Sequence, residues 1–86
     1  MDILICDDEP LAIERLSRLV SQLGHQVVAT ASHGQQAIEL TQQYEPDVVL
    51  LDIQMPEMDG LTCAHYLRQL EPMPALVFCT AYDEHA

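Results

Sequence analysis

The sequence predicts an α/β fold with an open parallel sheet and helices on both of its faces. Short apolar runs that suit buried strands alternate with longer segments whose apolar residues recur at helical spacing. The connections are short, and such alternation leads to parallel strands joined by helical crossovers. The 86 residues have room for a single domain. The predicted order is strand–helix–strand–helix–strand–helix–strand.

Four strands are predicted from apolar runs that end at polar residues or turn signals. The run at residues 48–51 is apolar at every position, which is typical of a parallel strand covered on both faces. The other three runs span residues 3–6, 27–31 and 75–79.

Three helices are predicted between these strands. Pro10 suits the first turn of the first helix, Asp8 is expected to cap it, and Gly24 supplies its stop. The second helix opens across residues 32–34 and ends at Glu45-Pro46. An apolar stripe on each helix is expected to face the sheet. The stripes are Leu11, Leu16, Leu19, Val20 and Leu23 in the first helix, Ala37, Ile38 and Leu40 in the second, and Leu61, Ala64, Leu67 and Leu70 in the third.

The charge of the chain excludes one class of partner. Fourteen acidic residues stand against three arginines and no lysine, for a net charge of −11. Nucleic-acid binding needs a basic face, so we do not expect it from this segment. An acidic balance fits a hydrated surface, a cation site or a basic partner. No apolar run approaches the roughly 18 residues that a membrane span requires.

The cysteines indicate a reducing environment. Cys6, Cys63 and Cys79 form no CxxC pair, and the four histidines share no ligand-like spacing with them. We therefore expect free thiols, a cytoplasmic location and no zinc site. The N-terminal residues MDILICDD lack the basic region of a signal peptide.

Residues able to carry out chemistry follow three of the four predicted strands. Asp7 and Asp8 follow the first strand, Asp52 the third and Thr80 the fourth. The carboxyl ends of parallel strands meet at one edge, where ligands bind. Carboxylates brought together repel unless a cation lies between them, and Mg²⁺ prefers such oxygen ligands. We therefore expect a Mg²⁺ site formed by Asp8, Asp52 and the backbone carbonyl of Gln54, with Asp7 positioning the ion or acting through water.

Asp52 is the candidate nucleophile of this group. An aspartate that attacks phosphorus gives an acyl phosphate, with catalysis by positioning and charge neutralisation. The Thr80 hydroxyl would then bind a phosphoryl oxygen. Each residue alone also has a structural interpretation: Asp8 as a helix cap, Asp52 as a turn residue and Thr80 as a strand end. Their combination at successive strand ends favours the functional interpretation.

Three stretches carry a resemblance to a known family. ILICDDEP, VVLLDIQMPEMDG and LVFCTAYDE resemble response-regulator receiver domains of two-component systems, from one end of the chain to the other. DDEPLA and FCTAYDEHA look most like the LytR/AlgR group, whose members carry a C-terminal LytTR DNA-binding domain. The resemblance implies a flavodoxin-like fold and a role in signal transduction.

The resemblance also implies roles for single residues. Asp52 would take a phosphoryl group from the phosphohistidine of a sensor histidine kinase. Asp7, Asp8, Asp52 and the Gln54 carbonyl would hold Mg²⁺. Thr80 would reorient toward the phosphoryl group as the switch. Two further residues, Pro56 and Gly60, would shape the loop that follows Asp52.

One departure from the family pattern affects these expectations. Receivers continue through a fourth helix, a fifth strand whose last residue is a lysine that pairs with the phosphoryl group, and a fifth helix. These elements are absent here, so we expect residues 1–86 to form the N-terminal portion of a receiver, without an output domain. DNA binding would then belong to that missing domain. Phosphorylation would be impaired, and the exposed fourth strand would favour a homodimer or a domain-swapped oligomer.

Three alternatives stand beside the receiver interpretation. Phosphatases of the haloacid-dehalogenase type use a D-x-D pattern, whereas Gln54 stands two residues after Asp52, so we do not expect an enzyme. No GxGxxG follows the first strand, which disfavours a dinucleotide-binding domain. The third alternative is a phosphorylation-impaired fragment that acts only as a dimerising structural module.

Overall fold

The structure, a computed structural model, describes residues 1–55 and 57–79. It confirms the predicted order of elements, and the strand bounds agree with the prediction to within one residue. The longest described helix has 13 residues, and none is long and apolar enough to cross a membrane. The strands are β1 (Asp2–Cys6), β2 (Gln26–Ala31), β3 (Val48–Asp52) and β4 (Ala75–Cys79), and the helices are α1 (Pro10–Gln22), α2 (Gly34–Tyr44) and α3 (Gly60–Leu67).

The four strands form one parallel sheet in the order β2-β1-β3-β4. β1 is therefore central, with β2 on one side and β3 on the other. The strand order reverses at β1, and the crevice at such a reversal is where parallel α/β sheets bind ligands. The topology thus predicts a ligand site at the carboxyl ends of β1 and β3.

Side chains of β1 alternate between two core clusters on opposite faces of the sheet. Leu4 and Cys6 enter the larger cluster, which α2 and α3 cover. Ile3 and Ile5 enter a smaller cluster, where they pack against Val20 of α1. Successive strand residues point to opposite faces, so a run that is apolar throughout fills both clusters.

The residue predicted to cap α1 is wrong by one position. Glu9, rather than Asp8, occupies the N-cap position, and its side chain makes no capping hydrogen bond. Asp8 instead belongs to a group of acids at the strand ends. The predicted stop is confirmed, since Gly24 adopts a φ of +89°, in the left-handed region that favours glycine.

The predicted inward stripes of α1 and α3 are only partly correct. Leu11, Leu19 and Leu23 are exposed, because the face of α1 toward the sheet carries Ile13, Leu16 and Val20. In α3, Leu61 is exposed, and Leu70 lies beyond the end of the helix. The buried α3 residues are Gly60, Cys63, Ala64 and Leu67.

Strand β3 is less covered than the sequence predicts, whereas the exposure of β4 agrees with the expected exposed fourth strand. Val48 and Leu50 of β3 are only partly buried, because α1 is the one described helix on their face of the sheet. Val77 and Phe78 of β4 are exposed. In the described part of the chain β4 is an edge strand, as predicted.

Leu4→Ala should lower the free energy of unfolding by about 2–5 kcal/mol, because it removes a fully buried side chain from a packed cluster. Leu19→Ala should change it by less than about 0.5 kcal/mol, since Leu19 is 52% exposed on the outer face of α1. Urea denaturation followed by circular dichroism measures both. Equal losses in the two variants would contradict the orientation of α1.

Candidate functional site

The carboxyl ends of β1 and β3 lie side by side in the middle of the sheet. Cys6 pairs with Leu51, so the residues that follow them in the chain, Asp7 and Asp52, lie at the same level of the sheet. The Asp7 amide donates to the carbonyl of Ala31 at 3.0 Å, which continues the pairing with β2 beyond the last residue of β1. Backbone register therefore places the two aspartates next to each other.

Three carboxylates converge at this edge. One oxygen from each of Asp7, Asp8 and Asp52 lies within 4.8 Å of the others. Asp7 and Asp52 are only 7% and 5% exposed, whereas Asp8 is exposed. The predicted convergence agrees with these distances, and the role of the three residues as metal ligands stays a prediction.

Backbone amides orient the two buried carboxylates. The Glu9 amide donates to Asp7 Oδ1 at 2.9 Å, and the Gln54 amide donates to Asp52 Oδ1 at 3.3 Å. Each bond joins an aspartate to the residue two positions later, a local turn that aspartate favours. Each carboxylate is thus fixed by the loop that follows its own strand.

The surroundings of Asp7 and Asp52 disfavour the charged forms of their carboxylates. Burial raises the pKa of Asp7, and the neighbouring Asp8 raises it further. Burial also raises the pKa of Asp52, and the charge of Asp7 adds to this effect. None of the three carboxylates forms an ion pair within residues 1–55 and 57–79. A divalent cation among them would relieve the repulsion.

Cys6, the residue before Asp7, lies in apolar surroundings. The Cys6 thiol lies 3.5 Å from the sulfur of Met55 and donates to the carbonyl of His33 at 3.6 Å. Burial, with a contribution from the nearby Cys63, raises the pKa of Cys6 to about 12. Cys6 therefore stays a neutral thiol at pH 7 and packs as a small apolar side chain.

The loop after Asp52 contains the other predicted site residues. Gln54 is exposed next to Asp52, whereas Pro56 and Thr80 lie outside the described residues. Gly60 begins α3 against the backbone of Asp52, where an added Cβ would lie 2.2 Å from the Asp52 carbonyl oxygen. The family resemblance implies that Gly60 shapes this loop, but the sequence carries no signal for what the residue contacts.

Asp52→Asn should stabilise the chain at pH 7 in the absence of divalent cations. The pKa of Asp52 is higher in the folded state, so the folded state binds this proton more tightly than the unfolded state. The associated stability is present at low pH and is lost as the pH rises from the ordinary value of 3.8 through the raised pKa. The variant should therefore lose less stability over this interval.

Urea denaturation in EDTA at several pH values measures this difference. Asp47→Asn is the matched control, because Asp47 is an exposed aspartate outside the acidic group, and asparagine keeps a side-chain oxygen that can accept the Asp2 amide, as Asp47 Oδ2 does at 2.8 Å. The prediction is wrong if Asp52→Asn shows the same decline of stability with pH as the wild type.

Two known proteins match this chain over its full length. The chain is 54% identical over 88 residues to the positive alginate biosynthesis regulatory protein of Pseudomonas aeruginosa, with 100% of this chain and 36% of that protein covered. It is 45% identical over 87 residues to the sensory transduction protein LytT of Enterococcus faecalis, with coverages of 100% and 36%. The chain thus spans about a third of these relatives, and they confirm the resemblance to the LytR/AlgR group.

A solved structure and a family match lead to the same assignment. The fold superposes on a chain of the CheX–CheY–BeF3–Mg²⁺ complex from Borrelia burgdorferi with a TM-score of 0.89, at 27% identity. The alignment covers 99% of this chain and 66% of that chain. Residues 3–86 match the response regulator receiver domain family. This chain therefore belongs to the receiver domains of two-component response regulators.

Proposed function

We propose that Asp52 accepts a phosphoryl group from the phosphohistidine of a sensor histidine kinase, in a site that holds Mg²⁺. The observation that carries the proposal is the position of Asp52. Its buried carboxylate ends a central strand within 4.8 Å of two further carboxylates, and none of the three has an ion-pair partner in the described chain. Family membership supports the phosphoacceptor role over that of a purely structural module.

The transfer is a nucleophilic displacement at phosphorus. An oxygen of the Asp52 carboxylate attacks the phosphorus, the bond from phosphorus to the histidine nitrogen breaks, and its electron pair stays on the imidazole. The product is an acyl phosphate on Asp52. Most of the catalysis comes from position and charge, so the Gln54 amide that holds Asp52 Oδ1 orients the nucleophile. The proposed role is that of a phosphoacceptor rather than an enzyme that turns over a substrate.

The charge at the site fits a hard divalent cation. Asp8, Asp52 and the backbone carbonyl of Gln54 would supply ligands to Mg²⁺, with Asp7 positioning the ion or acting through water. When bound, Mg²⁺ supplies positive charge that lowers the pKa of Asp52 and offsets the phosphoryl oxygens. The structurally similar chain comes from a complex that contains Mg²⁺, which supports this choice of ion. Thr80 would bind a phosphoryl oxygen as the switch.

The wider role is that of a signalling module. We propose a cytoplasmic location, in keeping with the free Cys6, Cys63 and Cys79. Any control of transcription would act through a DNA-binding output domain in the two thirds of the relatives' length that this chain does not span. Self-association through β4, the edge strand among the described residues, stays a prediction.

Asp8→Asn should weaken Mg²⁺ binding by about tenfold or more, because even residues that only support a metal ligand typically contribute that much. Asp8 is exposed, so the fold should tolerate the change. Glu9→Gln is the matched control: it removes the adjacent exposed acid, which lies outside the acidic group. Isothermal titration calorimetry suits a chain without tryptophan. Equal affinity in the two variants would contradict the proposed ligand set.

Acetyl phosphate and Mg²⁺ should add one phosphoryl group to the chain, and Asp52→Asn should abolish the addition. Intact-mass spectrometry detects it, and Asp47→Asn should be modified like the wild type. We expect the reaction to be slow and incomplete, since no lysine of the 86 residues offsets the phosphoryl charge. Modification of Asp52→Asn to the wild-type extent would place the phosphoryl group elsewhere and contradict the proposal.

A further inference from the structure

The first residue of α3 lies directly against the backbone of the proposed phosphoacceptor. Gly60 is buried, and its amide donates to the carbonyl of Ile53 at 2.7 Å. A Cβ at Gly60 would lie 2.2 Å from the carbonyl oxygen of Asp52, 2.7 Å from Ile53 Cα and 2.9 Å from the Asp52 carbonyl carbon. These are backbone atoms of a strand end, so no side-chain rotation makes room for a larger residue.

Gly60 is connected to the acidic group through a short series of contacts. Its amide holds the Ile53 carbonyl, and this carbonyl carbon forms the peptide bond to Gln54. The Gln54 amide in that same peptide unit donates to Asp52 Oδ1. One rigid, planar peptide thus carries both hydrogen bonds. The position of Gly60 therefore determines how this peptide presents its N–H to the Asp52 carboxylate.

Helix α3 itself is held at this end by a separate interaction. The Asp59 carboxylate caps the helix by accepting the Thr62 amide at 2.7 Å. This bond stabilises the first turn of α3 but does not involve Asp52. The cap and the backbone contact of Gly60 are therefore two distinct functions of adjacent residues.

We propose that Gly60 is a positioning residue for the cation site, acting by close contact with the Asp52–Ile53 backbone. The inference rests on the proposed function, since it concerns how the proposed ligands Asp52 and Gln54 are oriented. A side chain at position 60 would displace the strand end and rotate the 53–54 peptide. Ligand geometry that is disturbed by a fraction of an ångström weakens metal binding.

Gly34 provides a matched control for this proposal. It is also a buried glycine, and it is the first residue of α2 as Gly60 is of α3. A Cβ at Gly34 would lie 2.7 Å from the sulfur of Met58 and 3.0 Å from its Cγ, so the clash is with a side chain instead of the Asp52 backbone. Alanine at both positions should destabilise the fold, but only one substitution should disturb the acids.

The test compares Gly60→Ala and Gly34→Ala in the 86-residue chain. Mg²⁺ affinity is measured by calorimetry under conditions where urea denaturation shows each variant to be folded. We expect Gly60→Ala to weaken binding by about tenfold or more and Gly34→Ala to change it by less than about twofold. Equal effects of the two substitutions would overturn the proposal. A wild-type chain that binds no Mg²⁺ would overturn the proposed function and this inference with it.

If Gly60→Ala does not fold, a measurement on the wild type tests whether Gly60 is linked to the cation site. Amide hydrogen exchange is recorded by NMR with and without saturating Mg²⁺. The Gly60 amide should slow by a larger factor than the Ala37 amide, which donates to His33 in the first turn of α2 and reports on general stabilisation. Slowing by the same factor at both amides would show that Gly60 is not linked to the cation site.

Discussion

Like-charge repulsion between carboxylates is the constraint on which this site depends. The register of β1 against β3 brings Asp7 and Asp52 to the same level, and the fold buries both. The sheet therefore holds together groups that would separate if they were free. Holding these charges together costs stability, and a cation that binds among them relieves that cost. Two strands whose side chains enter both core clusters provide the rigidity that opposes this repulsion.

Much of the fold and of the acidic group could be predicted, because both follow from local patterns. The β3 run, for example, is apolar from Val48 to Leu51 and ends at Asp52, so the same five residues predict both the strand and the reactive residue at its end. Convergence of Asp7 with Asp52 then follows from parallel topology alone. Neither inference required knowledge of any side-chain contact.

The errors have a common physical origin. Helical spacing shows which residues share a face, but it does not show how much of the helix surface a neighbour covers, and so Leu19 was expected to face the sheet. Aspartate often caps helices, and so Asp8 was expected to cap α1, yet the backbone places it with Asp7 and Asp52 at the strand ends. Gly60 has no side chain from which a contact could be inferred, and its neighbour across the loop appears only in three dimensions.

The two core clusters differ in size, and Asp8 lies close in sequence to the helix that packs on the smaller one. Helix α1 begins two residues after Asp8, and it packs on the smaller cluster around Val20. The position of Asp8 therefore depends on the face of the sheet that has fewer buried residues. Packing of α1 on this cluster and cation binding at Asp8 should therefore stabilise each other, and by linkage each does so by the same free energy.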